Sequence, residues 1–159
     1  MTSEICKGSD DVREFWTRTV EKISGFDAKA ESIWIITLSD KRHFVACEEI
    51  RSKVFRSPVL FADEVLNAQC LQGVCEFILF YHRPGVPPKA ADDDKQRARA
   101  IILAAHSKNQ DLLDYMIHGE RDEKYHLGIF SLYHFREFHK ADPFAPKLKR
   151  TSKKGAIKS

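Results

Sequence analysis

Residues 75–94 read CEFILFYHRPGVPPKAADDD and carry three signals in a row. Cys75–Tyr81 is a run of β-forming residues, apolar at successive positions, as in a strand buried on both faces. His82-Arg83-Pro84-Gly85-Val86-Pro87-Pro88 is a loop, because its three prolines lack the amide donors of a ladder. Asp92, Asp93 and Asp94 then supply the oxygens and negative charge that favour a helix N-terminus. Ala98, Ile101, Ile102 and Ala105 give that helix a buried stripe, and Asn109 suits the left-handed position that closes it. A strand end that runs through a loop into a helix is a common place for an active site in α/β folds.

Working outward, Leu112–Ile117 is a further strand, ended by His118-Gly119. Glu120–Lys124 is a charged turn, Leu127–Leu132 a fifth strand, and Tyr133–His139 a short helix or an extension. Upstream, Ile33–Leu38 is apolar at almost every position, as a central strand is. Ser39–Arg42 turns the chain into a second strand, His43–Ile50, and the two read as a hairpin. Val12, Phe15, Trp16, Thr19, Val20 and Ile23 share one face of a first helix that Gly25 ends. Ser57-Pro58 breaks the chain, and a helix is expected from about Ala62 to Leu71, closed by Gly73. Helices alternating with strands, plus a hairpin, give an α/β layered domain with a mixed sheet.

The 159 residues are about one domain, with 43% apolar and 31% charged residues, ordinary values for a globular protein. The longest apolar runs are far short of the roughly twenty residues that span a bilayer, and the polar start MTSEICKGSDD is not a signal peptide. Four cysteines at 6, 47, 70 and 75 lack zinc-knuckle or redox spacing. They read as reduced thiols in a cytoplasmic protein, with Cys47, Cys70 and Cys75 as small buried hydrophobes. Residues 140–159 carry seven Lys and Arg and one acid, a charge of +6; since the whole chain is +3, the first 139 residues hold −3. The tail is expected to be flexible, with weak, non-specific nucleic-acid contact as its possible function. There is no phosphate loop, no nucleophile elbow and no zinc-deaminase signature.

The order of elements resembles the RadC-like branch of the JAB/JAMM (MPN-type) metallopeptidase domain. In that pattern a hairpin ends near Gly-Thr and a helix opens with His-Pro-Arg-Glu-Val. A strand ends in His-Asn-His-Pro-Ser-Gly, an Asp starts the next helix, and Leu-Asp-His and a Gly lie on the following strand. Here the corresponding residues are Lys53-Val54, Phe61-Ala62-Asp63-Glu64-Val65, Tyr81-His82-Arg83-Pro84-Gly85-Val86, Asp94, Leu113-Asp114-Tyr115 and Gly119. Leu38 to Gly119 aligns without a gap, about half the chain. The resemblance implies a three-layer, cytidine deaminase-like α/β domain over residues 1–139, with the mixed central sheet flanked by helices. Residues 140–159 would be the tail.

In that family two histidines and the Asp hold a zinc, an upstream Glu is the general base, and a Ser steadies the oxyanion. Aligned without a gap, the former metal-site positions are Tyr81, Arg83 and Asp94, and the Ser is Ala91. Arg83 cannot ligate. A one-residue slip places His82 and Asp93 as ligands and Ala90 at the Ser, with His118 or Glu48 as a substitute ligand. Glu48 and Glu49, on opposite strand faces, are the candidate bases. His82 otherwise reads as a loop histidine in solvent, and His106, His118, His134 and His139 need no metal role. The leading expectation is a degenerate RadC-like JAB domain that lacks zinc, has no cofactor and binds or scaffolds a protein partner, away from membranes. The alternative is a zinc-dependent, isopeptidase-like hydrolase. A third reading is a nucleic-acid-associated protein, as the DNA-linked, repair-related context of the family implies. At the former metal site an ion pair is expected between Arg83 and Asp94 or a neighbouring Asp.

Overall fold

The computed structural model describes residues 5–133. In chain order these form α1 (Ser9–Arg18), a 3-10 turn at Val20–Lys22, β1 (Ser32–Leu38), β2 (Phe44–Ile50) and α2 (Pro58–Leu66). A second 3-10 turn at Gln69–Leu71 leads to β3 (Glu76–His82), α3 (Asp92–His106), β4 (Asp111–His118) and β5 (Ile129–Ser131). The expectations for Tyr133–His139, for His134 and His139 and for the basic tail fall on residues that lie, from 134 onward, outside the described ones.

Five strands make one mixed sheet in the order β2-β1-β3-β4-β5. β1 pairs antiparallel with β2 and with β3, β3 pairs parallel with β4, and β4 pairs antiparallel with β5. The parallel pair is bridged by α3, the long crossover that such a pair requires. Alternation along the strands divides the apolar side chains between two cores. Ile33, Ile35, Phe77, Leu79, Tyr81, Tyr115 and Ile117 face α2 and α3. Trp34, Ile36, Ile78, Phe80 and Met116 face α1, where Trp16 is fully buried. The domain is thus three layers, α/β/α, as expected.

Some boundaries differ from the sequence reading. α2 starts at Pro58 rather than near Ala62, because proline at the first helical turn has no lost hydrogen bond. It ends at Leu66, and Gln69–Leu71 forms a separate turn. α1 stops at Arg18, before the β-branched pair Thr19-Val20, and Ile23 is exposed rather than packed. Cys75, expected in the core, is exposed because it precedes the first paired residue of β3, whereas Cys6 is buried. Among the described residues no helix is long and apolar enough to cross a membrane.

The proline loop after β3 is fastened to the end of β4. Arg83 N donates to His118 O at 2.7 Å, extending the ladder by one bond, and Glu120 N donates to Val86 O at 2.7 Å. A Cβ on Gly119 would lie 2.3 Å from Val86 O, so this contact admits only glycine. The loop therefore presents Arg83 to the start of α3.

Candidate functional site

Asp94 is the centre of the site. It occupies the first turn of α3, facing the sheet, and is fully buried. Its Oδ2 accepts from Ala91 N at 2.8 Å, which caps the helix. Its Oδ1 accepts from Tyr115 OH on β4 at 2.8 Å and from Arg97 Nη2, one turn along α3, at 2.8 Å. The expected partner Arg83 is present, but at the longer distance of 3.6 Å from Nη1 to Oδ2. Arg83 also donates to Lys89 O through Nη2.

Arg97 is placed by several contacts at once. Nε donates to Tyr115 OH at 3.2 Å and Nη1 to Phe55 O at 3.4 Å. The guanidinium lies 3.7 Å above the centroid of the Phe55 ring, a stacking that suits its flat, weakly hydrated cation. Burial, and then the Asp94 carboxylate, push the Tyr115 phenol well above its usual range, so it remains a donor. Neither Arg97 nor Tyr115 was singled out from the sequence as a partner of Asp94. One signal was there: Arg97 adjoins Ala98 and stands four residues before Ile101, inside the apolar stripe of α3.

Tyr81 points to the same face. Its hydroxyl donates to Glu31 Oε1 at 2.9 Å, its ring meets the Phe55 ring edge-on at 5.2 Å, and Arg83 lies over it at 5.4 Å. Burial and the Glu31 contact raise this phenol to about 12. Beside it opens a cleft of about 410 Å³, lined by Glu31, Glu49, Ser52, Lys53 and Phe55 among others. Of the two candidate bases, Glu49 lines this cleft and pairs with Arg51 at 3.2 Å. Glu48 stands opposite Ile35, on the α2/α3 face of the sheet, and accepts from Cys70 N at 2.9 Å.

His82 and Asp93 are not brought together. Asp93 is exposed at the start of α3. His82 is not the solvated loop residue expected: it is the last residue of β3, where strand alternation turns it to the α1 side and buries it. There its Nε2 is 2.8 Å from Ala28 O and its Nδ1 is 3.0 Å from His118 Nδ1. Ala28 O only accepts, so Nε2 of His82 donates to it; with both rings neutral, Nδ1 of His82 then accepts from Nδ1–H of His118. Burial, then the neighbouring His82 and the charges of Arg13 and Arg121, lower His118 to about 4. Both rings pack around Trp16, at 5.2 and 5.7 Å between centroids.

Residues 6–131 match the family model of the RadC-like JAB domain. The chain belongs to this family. A relative described as a UPF0758 protein, from Chlorobium phaeovibrioides (strain DSM 265 / 1930), is 24% identical over 119 residues. The alignment takes in 75% of this chain and 51% of the relative, so the JAB chain spans about half of that relative's length.

The family centre can be compared with the residues present. A zinc ion needs neutral or anionic donors around an open position. In this JAB domain Asp94 is the sole such donor among the three gap-free positions, and both of its oxygens already accept from cationic or neutral groups. Arg83 carries a permanent charge, and the Tyr81 phenol is protonated and bonded to Glu31. Two guanidinium groups beside one carboxylate do not fit a dication. Ala91, at the position of the family's Ser, has no hydroxyl. Among the described residues no group of three or more His, Cys, Asp or Glu is arranged to hold a metal.

Proposed function

We propose that this chain is a RadC-like JAB domain that has given up the zinc and works as a binding or scaffolding module rather than a hydrolase. The observation that carries the reading is the saturation of Asp94 by Arg97, Tyr115 and Ala91 N, with Arg83 alongside. A hydrolytic zinc acts through an open coordination position and a water it acidifies. A carboxylate bridged to two arginines has neither. The role left to the domain is recognition of a protein partner, in the cytoplasm.

The test is metal analysis of the purified protein before and after incubation with excess zinc, beside an assay for hydrolysis of isopeptide-linked substrates. Less than about a tenth of an equivalent of zinc and no chelator-sensitive turnover are expected. Stoichiometric zinc, with activity lost on chelation, would sink the proposal in favour of the hydrolase. The basic tail supports a secondary, electrostatic contact with nucleic acid. That contact is checked by a salt titration of DNA binding with and without residues 140–159, where tail-driven binding falls steeply with salt.

A further inference from the structure

We infer that Arg97, not Arg83, is the cation that takes the place of the metal's charge at Asp94, and that it alone is sufficient to keep zinc out. The inference rests on the zinc-free reading above and names the residue responsible. Two observations separate the arginines. Arg97 Nη2 lies 2.8 Å from Asp94 Oδ1, whereas Arg83 Nη1 lies 3.6 Å from Oδ2. The Arg97 side chain is 6% exposed and the Arg83 side chain 19%. A charge that is nearer and drier acts through less screening.

The two also differ in how they are held. Arg97 is fixed by Asp94, by Tyr115 OH, by Phe55 O and by the face of the Phe55 ring, so it ties α3 to β4 and to the segment that follows β2. A metal ligated from a strand end and a helix start would make the same kind of tie. Arg83 is anchored through Lys89 O within its own loop, and its Nε is buried without a partner. It sits at a family ligand position, yet it completes the centre less than Arg97 does. Replacing both non-ligating residues, Tyr81→His with Arg83→His, therefore restores imidazoles around a carboxylate that is still occupied.

The experiment compares zinc affinity in wild type, in Y81H/R83H and in Y81H/R83H/R97Q, using zinc alone in competition with a chromophoric chelator. The double variant is expected to stay within about threefold of wild type, and the triple variant to bind about 100-fold tighter or more, as the removal of a fixed charge next to a dication predicts. Where the triple variant does not fold by itself, the readout is its melting transition after refolding with zinc or with magnesium. A transition recovered by zinc alone supports the inference, and none recovered by zinc overturns it. Equal affinity in the double and triple variants overturns it as well, whether both bind or neither does. Tight zinc in the double variant with none in wild type defeats the role of Arg97 and leaves the proposed function standing. Zinc in the wild type defeats both.

Discussion

Asp94 meets three side-chain donors at three different strengths, and the stability of the domain should follow that order. Arg97→Ala leaves a buried carboxylate without its nearest counter-charge and is expected to destabilise by about 3–5 kcal/mol. Tyr115→Phe removes the hydrogen bond to the charged Asp94 acceptor and the acceptor of Arg97 Nε, and is expected to cost about 1.5–3 kcal/mol. Arg83→Ala breaks a 3.6 Å pair whose arginine is 19% exposed, which is expected to cost below about 1 kcal/mol. Urea unfolding of the three variants at neutral pH checks the series. A loss in Arg83→Ala equal to that in Arg97→Ala would show the ranking to be wrong. The sequence pointed to Arg83 because a motif position can be read by alignment. It was silent on Arg97 because the contact depends on how α3 is rotated against β4, which spacing along one helix does not state.

At the scale of elements, alternation and breakers carried most of the information. β1, β3 and β4 are buried on both faces, so near-continuous apolar runs located them within one or two residues. The start of α2 is hidden in the sequence because Ser57-Pro58 reads as a break, although a proline at the first helical turn opens a helix as readily. Ile36 lies fully buried in β1 between two neighbouring strands. Ile36→Ala is expected to cost about 2–5 kcal/mol in chemical denaturation, and a loss under about 0.5 kcal/mol would remove it from the core. The ends of β3 and β4 carry a second prediction, through His82 and His118. His118 is lowered to about 4 in the folded protein, against 6.5 as its ordinary value. The unfolded chain therefore binds more protons between these values, and stability falls as pH drops from about 6.5 toward 4, by up to roughly 3 kcal/mol. His118→Phe should flatten that slope in melts recorded from pH 8 to 4.5; an unchanged slope would assign the acid sensitivity elsewhere.

At the scale of the whole molecule, the described residues 5–133 form a three-layer sandwich with a core on each face of the sheet, and that architecture is legible in the sequence because each element keeps its own period. What was not legible was which face each histidine would take. Turning β3 by one residue exchanges the α1 side for the α3 side, and His82 went to the first. Removing residues 147–159 is expected to move the melting temperature by less than about 2 °C, since they hold few residues able to cover a core. A much earlier transition in the truncated protein would mean that the segment packs on the domain. The Asp94 centre also bears on how such a domain matures. A metalloprotein becomes complete only after it has met its ion, so its yield follows the supply of that ion in the cell. Here the counter-charge is encoded two residues beyond Lys95, on the same helix as the carboxylate it balances. On the zinc-free function proposed above, the centre is finished when the chain folds, and the domain is expected to be as complete under metal starvation as under metal excess.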